Sequence, residues 1–114
     1  MPYLFIQTSV AIDSAAESKL LAAASQRMAE QLGKPERYVM VALQPAVRML
    51  FAGDAAPVAY LELKSIGLPR KKTAGLSKAL CELMDEHLGI PPNRVYIELA
   101  DAEPAMWGWD SSTF

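Results

Sequence analysis

Leu32-Gly33-Lys34-Pro35-Glu36-Arg37-Tyr38-Val39-Met40-Val41-Ala42-Leu43 lines up without a gap on Leu88-Gly89-Ile90-Pro91-Pro92-Asn93-Arg94-Val95-Tyr96-Ile97-Glu98-Leu99. The offset, from Gly33 to Gly89, is 56 residues in a chain of 114. In both copies a helical pattern stops at a glycine, a proline follows two residues later, and a β-rich run begins. That is how a helix C-cap turns into a strand. The copies share few identical residues, so the repeat speaks to architecture and not to activity.

The remaining elements stand upstream of each copy. Tyr3 to Val10 alternates and is rich in β-formers, so a strand is expected there. Ser14-Ala15-Ala16-Glu17 has the form of a capping box, and Leu20, Leu21, Ala24, Met28 and Leu32 follow at helical spacing. In the second half, Val58 to Ile66 reads as a strand that Gly67-Leu68-Pro69 breaks. Leu76, Leu80, Leu83, Met84, His87 and Leu88 then repeat the helical stripe. The order β-α-β, β-α-β predicts an α/β (α+β) fold over residues 1–114 as one domain. Right-handed crossovers would place both helices on one face of a four-stranded mixed sheet. The other face is then bare. Val39 to Leu43 is apolar at consecutive positions, as in a strand buried on both sides, so further copies of the chain are expected to cover the sheet. The aromatic tail, with Trp107, Trp109 and Phe114, would dock on a neighbouring subunit or else cap its own core.

Composition narrows the function classes. A net charge of −2, with no basic cluster opposite an aromatic platform, gives no footprint for nucleic acid. No apolar run approaches the ~18 residues of a membrane span, and the first residues do not resemble a signal peptide. A single cysteine, Cys81, allows no internal disulfide and reads as a small buried hydrophobe on a helix. A cytoplasmic setting is the expectation, with export without a leader left open.

The familiar catalytic sets are missing: the one histidine, His87, falls near a helix end, and neither a dinucleotide nor a phosphate-binding glycine loop occurs. Neither metal nor organic cofactor is expected. Pro2 stands apart. If Met1 is removed, its nitrogen becomes a secondary amine, starting from an α-amino pKa of about 7.7–8.0. Apolar walls or a nearby ammonium such as Lys34 would lower it further, toward the value a base needs for proton transfer beside a carbonyl.

Met1-Pro2, Gly33-Lys34-Pro35, Ser65-Ile66-Gly67, Arg94-Val95-Tyr96-Ile97 and Gly108-Trp109-Asp110-Ser111-Ser112-Thr113-Phe114 resemble, in order and end to end, the macrophage migration inhibitory factor family of the tautomerase superfamily. The resemblance implies a homotrimer whose three sheets form a central barrel with the helices outside and the active sites at subunit boundaries. It implies Pro2 as catalytic base and Lys34 as anchor of a substrate carboxylate. The Ser65-Ile66 segment would add a further carboxylate contact through the Ile66 backbone. Tyr96 of an adjacent subunit would enter the pocket, with Tyr38, Trp109 and Phe114 as an aromatic wall. Departures from mammalian members fall at Glu98, where asparagine is usual, and at Trp107, where a small aliphatic is usual; both bear on substrate preference. The family's Cys-x-x-Cys pair is replaced by Val58-Ala59-Tyr60-Leu61, so its thiol chemistry has no basis here.

The activity so implied is cofactor-independent keto–enol tautomerisation of an aryl 2-keto acid such as phenylpyruvate. Two alternatives stay open: a cytokine-like protein-binding signal with a vestigial pocket, and hydration or dehalogenation of an unsaturated acid with Glu98 activating water.

Overall fold

The computed structural model describes all residues, Met1 to Phe114. Strand β1 (Tyr3–Thr8) leads through helix α1 (Ser14–Leu32) to β2 (Met40–Gln44). Strand β3 (Ala59–Ile66) leads through α2 (Thr73–Leu88) to β4 (Val95–Ala102). A short hairpin, β5 (Gly108–Trp109) and β6 (Ser112–Thr113), closes the chain. The sheet order is β2-β1-β3-β4. Each β-α-β unit makes a parallel pair, and the two units meet through antiparallel β1 and β3. The mixed four-stranded sheet with two helices is therefore the one the repeat predicts.

Alternation fixes which residues face the helices. Leu4, Ile6 and Thr8 of β1 and Ala59, Leu61, Leu63 and Ser65 of β3 are buried, while their neighbours point to the other face. They meet Leu20, Ala24, Met28 and Leu32 of α1 and Leu76, Leu80, Leu83 and Met84 of α2 in one core. Both helices end as the glycines foretell. Gly33 (φ 63°) and Gly89 (φ 66°) take the left-handed conformation and donate their amides back into the last turn.

Several expectations are corrected. Asp13, not Ser14, caps α1: its Oδ1 accepts from the Ala16 amide at 2.8 Å, and Ser14 is already helical. Strand β1 stops at Thr8 because the Thr8 Oγ1 turns back to bond the Val58 carbonyl and accepts from the Val10 amide. Strand β3 starts one residue late, at Ala59. In the single chain, strand β2 has no cover on its helix-free face. It is a sheet edge with one face on α1, and Met40 at its start is 65% exposed. Cys81 is half-buried rather than buried; that suffices to push its thiol pKa up.

The helix-free face carries Tyr3, Phe5 and Gln7 of β1, Tyr60, Glu62 and Lys64 of β3, and Tyr96 and Glu98 of β4. No helix of the protein is long and apolar enough to cross a membrane.

Candidate active site

The start of β1 lies at the bottom of a cleft of about 460 Å³. Pro2 is buried there, one residue ahead of the strand, and its carbonyl accepts from the Met40 amide at 3.0 Å. Strand β1 begins at Tyr3 as expected, and Pro2 is pinned just ahead of it. Three segments wall the cleft: Met1 to Tyr3; Arg37 to Met40, on the short 3₁₀ turn leading into β2; and the tail residues Trp107, Gly108, Trp109 and Phe114.

The tail folds back on its own chain. The β5–β6 turn carries Asp110 and Ser111 at positive φ, and the Phe114 amide bonds the Trp107 carbonyl. Trp109 and Phe114 stack with centroids 5.5 Å apart, and each meets the Tyr38 ring edge-on, at 5.9 and 6.2 Å. These geometries are the favoured ones for aromatic pairs. Trp109 nevertheless stays 56% exposed, so the wall is built but not covered.

Lys34 follows the left-handed Gly33, which swings its side chain off α1 toward the C-terminal end of β3. Its ammonium donates to Ser65 Oγ at 3.1 Å and to the Ile66 carbonyl. It also stands beside the amino terminus. Burial is the main reason the Met1 amine sits below its ordinary value of 8.0, and the Lys34 charge and hydrogen bond lower it further. Lys34 itself is lowered, first by burial. Its bond to the amino terminus and the Asp101 carboxylate act against this, and Lys72 acts with it. Pro2, Lys34, Ser65, Ile66, Tyr38, Trp107, Trp109 and Phe114 are thus brought to one end of the sheet.

Tyr96 and Glu98 are not part of this cleft within one chain. Tyr96 pairs with Tyr60, which pairs with Gln7, whereas the cleft opens at Tyr3. Four residues of strand separate the two levels, roughly 13 Å at ~3.3 Å per residue, with two strand spacings added sideways. Glu98 lies instead beside Tyr60. That hydroxyl is 3.2 Å from Glu98 and 3.0 Å from Glu62, and desolvation, then the two carboxylates, push the phenol up to about 12.

A second hollow, of about 370 Å³, surrounds Tyr96 at the start of β3 and β4. Phe51 packs edge-on against Tyr96 at 4.7 Å, and Leu50 beside it is 72% exposed. Arg94 fastens this loop. Its guanidinium donates to the carbonyls of Phe51, Asp54, Ala56 and Pro57 and lies 5.2 Å over the Phe51 ring. Arg94→Ala is therefore expected to lower stability by about 2 kcal/mol in urea unfolding at fixed protein concentration, since hydrogen bonds from a charged group are worth about 1.5–3. Arg94→Lys should recover less than half, because one ammonium cannot span four carbonyls.

Sequence reasoning missed Arg37 and Met40 as cleft residues. Both lie in the repeated segment itself, and the signal was their position within a few residues of Lys34 and Tyr38.

A duplicated β-α-β sheet with a buried amino-terminal proline, an adjacent lysine and an aromatic wall defines a class, and comparison with known proteins agrees with it. The family model described as macrophage migration inhibitory factor matches residues 1–114. The chain belongs to the macrophage migration inhibitory factor family, within the tautomerase superfamily. It is 37% identical over 115 residues to the macrophage migration inhibitory factor of Rattus norvegicus, covering 100% of this chain and 99% of the relative. It is 39% identical over 116 residues to the Brugia malayi homolog, with the same coverage. The crystal structure of a homologue from Prochlorococcus marinus superposes with a TM-score of 0.92 at 44% identity, covering 98% of both chains.

Proposed function

We propose that the protein is a cofactor-independent keto–enol tautomerase for 2-keto acids with an aryl group, of which phenylpyruvate is the model. The observation that carries this reading is a buried Pro2 at the foot of an aromatic cleft, beside an ammonium that already depresses the neighbouring amine. With Met1 removed, the Pro2 nitrogen is a secondary amine. In its neutral form it takes the enol hydroxyl proton as the carbonyl forms, and the resulting ammonium or solvent returns a proton to the carbon next to it. Lys34 holds the substrate carboxylate, and Tyr38, Trp107, Trp109 and Phe114 receive the ring. The reaction moves protons within one molecule and leaves its oxidation state unchanged, so it needs no electron acceptor. The direct test is ultraviolet assay of phenylpyruvate enol with Met1-free protein; no acceleration over buffer would overturn the assignment.

The proposal extends to assembly. Tyr96, 65% exposed on the helix-free face, and Glu98 would reach the cleft of an adjacent subunit in a homotrimer, together with the exposed Leu50 and its loop. Sedimentation equilibrium is expected to give about three times the 12.4 kDa chain mass. A stable monomer at micromolar concentration would remove both the trimer and the shared site.

A further inference from the structure

We propose that Arg37 forms a second anion subsite in the cleft, so that the preferred 2-keto acids carry a carboxylate at the end of the ring remote from the keto acid group. The proposal rests on the reading of this cleft as the substrate site and names the substrate class it takes.

Arg37 is the one charged side chain among the residues lining the cleft; the others are apolar, aromatic or glycine, apart from the amino terminus. Its guanidinium carbon lies 4.8 Å from the centre of the Tyr38 ring. Such stacking restrains the planar group while leaving its edge donors open. Those donors have no partner in the chain. The two ion pairs are Arg27–Glu86 and Lys64–Glu62, and no hydrogen bond involves the Arg37 side chain. Tyr38 in turn meets Trp109 and Phe114, so the guanidinium rests on the same aromatic cluster that would receive the ring.

Lys34 lies just outside the lining residues and meets the cleft at the amino terminus. Its ammonium is held by Ser65 and Ile66. Two cations, Arg37 over Tyr38 and Lys34 beside the amino terminus, therefore flank the apolar and aromatic lining. A keto acid with a plain phenyl ring satisfies the lining and one cation. A ring with a carboxylate at its far position satisfies both cations, and a guanidinium with its fork free is suited to bidentate carboxylate binding.

The test separates binding from turnover. Met1-free protein would be titrated with 3-phenylpropanoate and with 3-(4-carboxyphenyl)propanoate, neither of which can tautomerise. The fluorescence of Trp107 and Trp109, backed by calorimetry, reports binding. The dianion is expected to bind about tenfold tighter than the monoanion, a preference typical of one added charge-assisted contact. Arg37→Gln should bring that ratio to near one, and Arg37→Lys should retain part of it. A ratio near one in the unaltered protein, or a ratio unchanged by Arg37→Gln, overturns the subsite. Turnover of phenylpyruvate enol and 4-carboxyphenylpyruvate enol is then measured on the same samples. An Arg37-dependent binding preference with neither enol accelerated leaves the subsite standing and removes the tautomerase assignment. Acceleration of both without that preference does the reverse.

Discussion

Enol-to-keto conversion by protein that keeps Met1 is expected to run at least about a hundredfold below that of the processed chain, the lower bound for losing a general base. The reason is covalent. With Met1 in place the Pro2 nitrogen is a tertiary amide and its lone pair is delocalised into the carbonyl. Steric exclusion adds to this, because Met1 lies in the cleft itself and its amine approaches Lys34. A free amine on Met1 does not substitute for the missing base, since it is displaced from the Pro2 nitrogen by a whole residue. Intact mass spectrometry sorts the preparations, and ultraviolet assay gives the rate of each. Comparable rates from a homogeneous Met1-bearing sample would show that the Pro2 amine is not the base.

Lys34→Ala carries the second large expected effect, and it has two separable parts. Loss of a charge-assisted contact to the substrate carboxylate should raise KM for a keto acid by about 10- to 100-fold, with a much smaller change for its ester. Equal losses for acid and ester would assign Lys34 to the fold or to the amine instead. The second part is a displacement along the pH axis. After burial, the Lys34 charge lowers the Met1 amine; an ammonium beside the Pro2 amine of the processed chain acts in the same sense, so removing it is expected to raise that amine's pKa. Activity requires the neutral base and falls as pH drops through its pKa. The acid limb of kcat/KM should therefore move to higher pH in the variant, and the loss at pH 6 should exceed the loss at pH 8. An unmoved limb would show that Lys34 does not act on the base.

The fold was legible because the helix stops are so strongly written. Gly33 with Pro35 and Gly89 with Pro91 fix two crossovers, and two crossovers of this length leave little choice but a four-stranded sheet. The start of α1 was harder, because Asp13 and Ser14 are both good caps and adjacent. Only the backbone path decides which one precedes the helix. The apolar run through β2 meets α1 on one face, and in the single chain its other face is open. Of the candidate site residues, Pro2, Lys34, Tyr38 and the tail aromatics lie at one end of the sheet. The separation of Tyr96 and Glu98 from them follows from the β1–β3–β4 register, which the sequence pattern does not give. Arg37 was passed over because a lone exposed arginine carries no pattern; its meaning lies in the ring beneath it.

The repeat has one more consequence, visible in the two hollows. The same 56-residue offset carries Pro2 onto Val58 and Met40 onto Tyr96, so the hollow at Tyr96 is the internal counterpart of the cleft at Pro2. The nitrogen that corresponds to the proposed base is there too, but it belongs to the Pro57–Val58 peptide bond and donates to Ser9 Oγ at 3.2 Å. Two like halves in one chain thus leave one of them without a free amine, and that half is silenced. On the proposed mechanism, the number of reactive centres follows the number of chain starts and not the number of concavities. Joining units end to end then halves the catalytic capacity per residue, and frees the silenced half to serve as a wall.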